Sequence, residues 1–451
     1  MWWSNKIMRV LRCRNEQRPG TMGYLLTAIG SVGGHLGEIK VIRVGRETVV
    51  RDITVFADDI EHFDIIFEAV RHTPGVELLE IRDEVLEMHR GGKIAVRSRY
   101  PVETPTDLRK VYTPGVAEVS LRIKENPGEA RLYTAIPYLV AIVTDGSAVL
   151  GLGDVGPLAS MPVMEGKATL METLVGLSGM PVLLNTQDVD QIVETVVNIA
   201  PTFGAIQLED ISAPRCFEIE ERLIERLDMP VIHDDQHGTA VVVAAAVLNA
   251  VCLAEMDNIE TATIGQIGLG AAGYSIAKMM MEMTGRPVLG GDLSEDALTR
   301  HQQAGGIPAS LDEIMAQADI VIATTGVPNL IKPEMVRPGQ VIMALSNPVP
   351  EIEPEIAMEA GAAFAADGKS VNNVLGFPGI LRGSVDADVP HVSHKMYLAA
   401  AKTIASLTRP GELVPNPLNR DVHWAVARAV AQAALDEGLA RADLAGYFDN
   451  L

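Results

Sequence analysis

Residues 207–240 read QLEDISAPRCFEIEERLIERLDMPVIHDDQHGTA, and the order of residue types here decides the fold. A mostly apolar run, Gly204 to Leu208, ends on the adjacent carboxylates Glu209 and Asp210. An amphipathic helical segment follows, and a second apolar run, Met229 to Ile232, ends on Asp234 and Asp235. Strand, crossover helix and strand make the repeating unit of an open α/β sheet, where ligands collect beyond the carboxyl ends of the strands. The acids of both strands should therefore converge in one crevice. Carboxylates grouped this way repel each other unless neutralised, and a hard divalent cation with oxygen ligands, Mg²⁺ or Mn²⁺, is the usual counter-charge. The plainer alternative is that Glu209 and Asp210 merely cap the following helix.

Composition bounds the remaining possibilities. The 451 residues suffice for two or three domains, and 47% hydrophobic content with only 4% aromatics suits a well-buried α/β protein rich in small aliphatic residues. A net charge of -22 argues against nucleic-acid backbones and anionic membrane surfaces as partners. Cys13, Cys216 and Cys252 show no metal-ligand spacing and make no disulfide framework, which fits a reducing cytosol. Trp2 and Trp3 are not followed by an apolar core of signal-peptide length, and the longest apolar run, Ala240 to Leu248, is about half a membrane span. The expectation is a soluble, cytoplasmic protein.

Three parts are legible along the chain. Strand-like runs at IMRVLRC, EIKVIRV, VVRDITVFA and VELLEIRDEVLEM surround two helical segments, Gly20 to Val32 and Asp59 to Arg71, which gives the ferredoxin-like order βαββαβ over residues 1–88. A polar stretch from His89 to Pro105 opens a second part, 89–235, and a third part, 236–451, carries a nucleotide signature of its own.

Two stretches match G-x-G-x-x-G. Gly268, Gly270 and Gly273 follow a β-branched run and open directly into a helix, with Ala271 and Ala272 in its first turn; Asp292 ends the next apolar run. Strand, glycine loop, helix and terminal acid together make a dinucleotide fingerprint. Its glycines let backbone amides approach a pyrophosphate, and its acid accepts hydrogen bonds from ribose hydroxyls. Such an acid repels a 2′-phosphate, so NAD is expected over NADP. Gly151, Gly153 and Gly156 instead follow what reads as a DG hairpin, VAIVTDGSAVLG, and Pro157 and Pro162 are expected to break any helix after them, leaving a substrate-side turn.

With a metal site beside a nicotinamide site, the remaining motifs fall into place. VYTPGVA (111–117), VTDGSAVLGLGDVGP (143–157), MEGKATL (164–170), LEDISAPRCFEIE, HDDQHGTA, LSNPVPE (345–351) and NNVLGFPGILRG (372–383) together resemble the malic enzyme family in its small bacterial form, collinearly from about residue 89 onward. The resemblance implies oxidative decarboxylation of L-malate to pyruvate and CO₂ with reduction of NAD(P)⁺, using Mn²⁺ or Mg²⁺. The amino-terminal segment lies outside that match. Its NEQRPG turn at 15–20 and Gly33-Gly34 resemble ACT domains, which implies an effector site near Arg18, Pro19, Gly20 and Gly33 and pairing into a homodimer or larger homo-oligomer; the alternative is a segment that only enlarges an interface.

The family resemblance also implies roles. Glu209, Asp210 and Asp235 hold the metal, and Lys167 is the base for the malate hydroxyl, with Asp234 sharing or relaying the proton. A lysine serves as a base only with a lowered pKa, toward which burial and a nearby cation act. Tyr112 is the acid that protonates enolpyruvate. Asn347 and Asn373 contact the substrate carboxylate and the nicotinamide side, and Thr325 joins the cofactor site. Each has a bland alternative: a solvated lysine, a half-buried tyrosine, turn asparagines. Larger members carry a carboxylate-clamping arginine after the strand DG, where this chain has Gly146-Ser147-Ala148, so Ser147, the amides of the Gly151–Gly156 loop and the two asparagines are the replacement candidates. A malolactic-type conversion with retained cofactor and a non-catalytic metabolite sensor are the competing functions.

Overall fold

A computed structural model describes residues 6–149, 151–256 and 258–448, so Trp2 and Trp3 lie outside the described residues. The chain divides into two compact units, one ending at Ala95 and the other beginning at Val96.

The first unit is built from β1 (Ile7–Glu16), α1 (Thr21–Ser31), β2 (His35–Val44), β3 (Thr48–Ala57), α2 (Ile60–Arg71) and β4 (Val76–Arg82). The strands pair antiparallel in the order β2-β3-β1-β4, the expected βαββαβ arrangement. Alternate positions of β1 and β3, such as Leu11, Cys13, Ile53 and Val55, meet Leu25, Ile29 and Ile66 of the helices in one core. The run read as one strand to Met88 is in fact two elements. After Arg82 the Asp83 carboxylate accepts the Leu86 amide and caps a helix, α3 (Glu84–His89); a local cap outweighs the apolar alternation.

The same sheet holds a buried ion pair. Asp52 is 8% exposed, accepts two hydrogen bonds from the Arg12 guanidinium at 2.8 and 2.9 Å and also contacts Arg82. The Arg12 bond, followed by the charges of Arg82 and Arg12, outweighs burial and holds the Asp52 carboxyl below its ordinary value. A folded-state pKa below the unfolded one gives stability that is present above the ordinary carboxylate range and is lost as pH falls through the folded value. Asp52→Asn should destabilise this unit by about 2 kcal/mol at neutral pH and progressively less in acid. Hydrogen exchange of the β1 and β3 amides reads this locally; a penalty that does not change with pH would mean the charge is irrelevant.

The second unit opens with short helices α4 (Pro105–Val111), α5 (Gly115–Glu125) and α6 (Ala130–Tyr133), none of which has a buried residue. A four-stranded parallel sheet follows from β5 (Leu139–Thr144), α7 (Gly156–Val175), β6 (Ser178–Leu183), α8 (Val189–Ile199), β7 (Ala205–Leu208), α9 (Arg215–Arg226) and β8 (Val231–His233), ordered β6-β5-β7-β8. Two expectations fail here. Among the described residues no hairpin forms at the DG step, because β5 is sandwiched between β6 and β7 and its edges are used; an isolated bridge joins Val149 and Gly153. Nor do the prolines prevent a helix. Pro157 lies in the first turn of α7, where its missing N–H costs nothing, and α7 runs through Pro162 because Met164, Ala168 and Met171 bury its far side. The helix α10 (Thr239–Leu253), buried from Ala240 to Val247, then crosses the interior. With the turn before it, Asp234–Leu253 is long and apolar enough to span a membrane, but 67% of its most apolar window is buried inside the fold.

A second parallel sheet takes β9 (Ile264–Ile267), α11 (Ala271–Thr284), β10 (Leu289–Gly291), α12 (Glu295–Gln303), β11 (Ile307–Pro308), α13 (Leu311–Gln317), β12 (Ile320–Ala323), β13 (Val341–Ala344), α14 (Pro354–Glu359) and β14 (Phe364–Asp367). Its order, β11-β10-β9-β12-β13-β14, is that of a doubly wound dinucleotide-binding sheet, whose ligand crevice opens where the order reverses, between β9 and β12. Helices α15 (Phe377–Asp386), α16 (His394–Ser406) and α17 (Arg420–Asp436) close the unit.

Candidate active site

The carboxyl ends of β7 and β8 deliver the acids as the alternation of strand and helix requires. Glu209 and Asp210 follow β7 directly, and Asp234 and Asp235 open a wide π-type turn, Asp234–Gly238, between β8 and α10. Ligand oxygens of Glu209, Asp210 and Asp235 all lie within 4.8 Å of one another. The capping alternative fails, since α9 begins at Arg215 with Pro214 as its N-cap, well beyond both acids. Asp210 holds a positive φ of 54°, a strained backbone setting for a side chain with a Cβ, and its amide donates to Asp235 Oδ2 at 2.9 Å. Its own Oδ2 is buried without a hydrogen-bond partner. An orphaned carboxylate oxygen inside a three-acid cluster is the donor set a hard divalent cation needs, so the residues fit such an ion.

Lys167 reaches this cluster from the middle of α7, a helix the prolines were expected to break, and is 9% exposed. Its Nζ contacts Asp234 Oδ2, stands 3.0 Å from Glu209 Oε1 and 4.7 Å above the Phe377 ring. Burial pushes the ammonium's pKa down, but Asp234, Glu209 and Asp235 raise it further, so the net direction is upward. The expected lowering is thus not supplied by the side chains alone, which hold Lys167 charged. The acids move reciprocally. Burial and then the Asp235 charge push Asp210 up to about 7, and burial raises Glu209 and Asp234 against the pull of Lys167. Asp234 also accepts Asn373 Nδ2 at 3.0 Å, and Gly238 is required behind it, since a Cβ there would fall 1.8 Å from Asp234 Oδ1.

A cavity of about 730 Å³ joins the two sheets' functional ends. Its walls include Asp235, Ala271, Ala272, Asn347 and Asn373. The glycine loop is shaped as expected: Gly268 has φ 86°, a Cβ on Gly270 would meet open space, and one on Gly273 would strike the Gly268 carbonyl at 1.9 Å. The first-turn amides of α11 have no partner within the helix and open toward this cavity, so the loop fits a pyrophosphate. Asp292 ends β10 beside the loop, its two oxygens accepting the amides of Leu269 and Ser294 at 2.7 and 2.9 Å.

Other expectations are met differently. Thr325 does not offer its hydroxyl to the cavity: its amide and hydroxyl both donate to Glu351 Oε1, at 2.7 and 2.8 Å, while Thr324 and Gly326 line the wall. Ser147 is committed as well. Its hydroxyl donates to Asp145 and accepts from the Ser212 amide and Arg215, so it has nothing left for a carboxylate. In the Gly151–Gly156 loop the amides of Leu152, Gly153, Val155 and Gly156 are likewise paired internally. Tyr112 stands apart: it is the C-cap of α4, 66% exposed, and among the described residues neither lines this cavity nor bonds the cluster. Two residues escaped the sequence reading. Gln207 donates to Glu209 Oε2 at 2.6 Å, signalled only by an amide in an otherwise apolar strand, and buried Glu351, the last residue of the LSNPVPE motif, anchors the Thr325 loop.

Fold and site together define an α/β protein in which a lysine-bearing carboxylate cluster faces a dinucleotide-type glycine loop. A profile of the malic enzyme N-terminal domain matches residues 92–224. The NAD-dependent malic enzyme 1 of Bacillus subtilis is 52% identical over 431 residues, spanning 95% of this chain and 98% of that protein; the NAD-dependent malic enzyme of Geobacillus stearothermophilus is 42% identical, over 96% and 95%. Among solved structures, malic enzyme from Pyrococcus horikoshii superposes with a TM-score of 0.75 at 39% identity, over 80% of this chain and 92% of that one. This chain belongs to the malic enzyme family.

Proposed function

We propose that the protein is an NAD-linked malic enzyme that converts L-malate to pyruvate and CO₂ in the cytoplasm. The observation that supports this most is Lys167 held between Asp234 and Glu209 at the edge of the three-acid cluster, in the unit that also carries the glycine loop. When bound, a divalent cation on Glu209, Asp210 and Asp235 would supply Lewis-acid polarisation at the malate C2 oxygen, and NAD⁺ on the Gly268–Gly273 loop would supply the electron acceptor. With the cation bound, Lys167 would first pass its ammonium proton to the Asp234 carboxylate hydrogen-bonded to it, and the neutral amine so formed takes the C2 hydroxyl proton. Asn347 and Asn373 line the same cavity, Asn373 beside Asp234, and with Ser147 occupied they take over carboxylate recognition. Absorbance at 340 nm with malate, Mn²⁺ and NAD⁺ tests the reading: NADH should accumulate, whereas lactate release without NADH would favour a malolactic conversion.

Cofactor choice rests on Asp292. Its carboxylate beside the loop repels a 2′-phosphate, and the next cation along the chain, Arg300, lies 4.3 Å over the Phe217 ring and 5.2 Å from that of Tyr274. Asp292→Ala should reduce the NAD⁺ over NADP⁺ ratio of kcat/KM by about tenfold or more, through loss of the ribose hydrogen bonds. An unchanged ratio would place the discriminating contact elsewhere.

Tyr112 remains the proposed acid for enolpyruvate, and its exposure sets a condition on the assembly. The helices around it bury nothing within the chain and expose Leu108, Val111, Tyr112, Val116 and Leu121. We propose a homo-oligomer in which a second copy covers this face and receives Tyr112 at its own cluster. Mixing Lys167→Ala and Tyr112→Phe proteins, each deficient in pyruvate formation, and unfolding and refolding them together should then restore roughly a quarter of the wild-type rate of pyruvate formation, because hybrid dimers hold one intact site. No recovery would mean that each chain uses its own tyrosine. For the first unit, its βαββαβ fold and the left-handed Gly20 and Gly33 flanking α1 favour an ACT-like effector site, with Arg18 and Pro19 in the same turn; Arg18 is exposed and pairs with Glu16 at 3.1 Å.

A further inference from the structure

The turn Asp234–Gly238 has two faces. Asp235 looks into the catalytic cavity, and Gln236, the next residue, lines a separate cavity of about 880 Å³ bounded by α9, α11 and the start of α16. Gln236 is 3% exposed, its Oε1 takes the Ser275 hydroxyl at 3.3 Å, and its side-chain nitrogen is buried without a partner. An unpartnered buried amide N–H is costly, and it points to an acceptor brought from outside.

The cations of this cavity point the same way. Arg300 lies 4.3 Å above the Phe217 ring and 5.2 Å from that of Tyr274; its Nε is buried without a partner, and it makes one long hydrogen bond, 3.4 Å, to the Leu269 carbonyl. Lys278 sits 6.0 Å from the same Tyr274 ring. Among the described residues neither has a carboxylate partner, in a chain with 59 acids against 37 Lys and Arg. The acids nearby are largely spoken for: Glu220 by His237 at 3.0 Å and the His233 amide, Glu282 by His394 at 3.0 Å, Glu437 by Lys395 at 3.4 Å. Glu221 and Glu225 stand exposed at the rim and weaken, without cancelling, the attraction for an anion. A guanidinium held against two rings that meet at 73° is fixed in position, and its remaining N–H groups suit charge-assisted hydrogen bonds to an oxyanion.

We propose that this cavity is a second ligand site, distinct from the malate and NAD⁺ sites, for a small metabolite carrying an oxyanion head, a phosphate ester or a carboxylate. The head engages Arg300 and Lys278, and a further acceptor takes the Gln236 amide. Because Gln236 and Asp235 share one turn, occupancy moves the acid that faces the catalytic cavity, so the ligand changes the apparent KM for malate. The KM arm rests on the malic enzyme reading; the binding arm does not.

Calorimetric titration with inorganic phosphate and, separately, succinate distinguishes the two head groups, and both titrations are run on the full-length protein with and without saturating NAD⁺. One site per chain should fill with at least one probe, unaffected by NAD⁺, and Lys278→Gln and Arg300→Met, which keeps a side chain over the rings, should each weaken binding about tenfold. The same probe should shift the malate KM by about fivefold or more in the wild type and not in Lys278→Gln. Absence of saturable binding by either probe, competition with NAD⁺, wild-type affinity in both variants, or binding that leaves KM unchanged would each overturn the proposal.

Discussion

Replacing Asp235 with Asn should lower malate turnover roughly a thousandfold and remove Mn²⁺-dependent decarboxylation of added oxaloacetate to the same extent. The acid supplies one of three clustered carboxylates, and it also receives the Asp210 amide at 2.9 Å, fixing the strained Asp210 in place. An asparagine keeps the shape and one oxygen but drops the charge that makes a hard cation prefer this site. A Lewis acid is worth several kcal/mol in charge stabilisation, and about 4 kcal/mol corresponds to that factor. Both reactions should fail together because both develop negative charge on the same C2 oxygen. NAD⁺ binding, which depends on the glycine loop, should survive and serves as the folding control. Oxaloacetate decarboxylation at the wild-type rate would remove Asp235 from the ligand set.

Lys167→Ala should reduce hydride transfer by about 10² to 10⁴, the range a positioned base supplies. Its ammonium is pinned by Asp234 and Glu209, so no neighbouring group can swing into its position without crossing two carboxylates. The variant should retain Mn²⁺-dependent oxaloacetate decarboxylation far better than Asp235→Asn does, which separates base from metal ligand. Tyr112→Phe should behave differently again: a single-turnover trace should show NADH forming at a near-normal rate while pyruvate lags, because the phenol acts only after CO₂ has left. Equal loss of NADH formation in the lysine and tyrosine variants would erase this division of labour.

The motif order carried much of the fold and the chemistry by itself. A run such as Ala205–Leu208 ending on Glu209 and Asp210 points to a buried strand whose polar end faces a crevice, and Gly268–Gly273 opening into α11 with Asp292 beyond β10 points to backbone brought close to a ligand. These signals are legible because periodicity, strand ends and glycine loops are local properties. Three matters were decided in tertiary space. Pro157 and Pro162 read as breakers until the far face of α7 had something to bury against, and Lys167 followed that helix into the interior. The Lys167 pKa turned on three acids from β7 and the turn after β8, remote in sequence, whose summed charge outweighs burial. Ser147 looked free as a letter, but Asp145, Ser212 and Arg215 had already used its hydroxyl. Sequence spacing fixes which residues reach a strand end; only the packed chain fixes which hydrogen-bonding groups are still unspent when they arrive, because that depends on partners supplied from elsewhere in the chain.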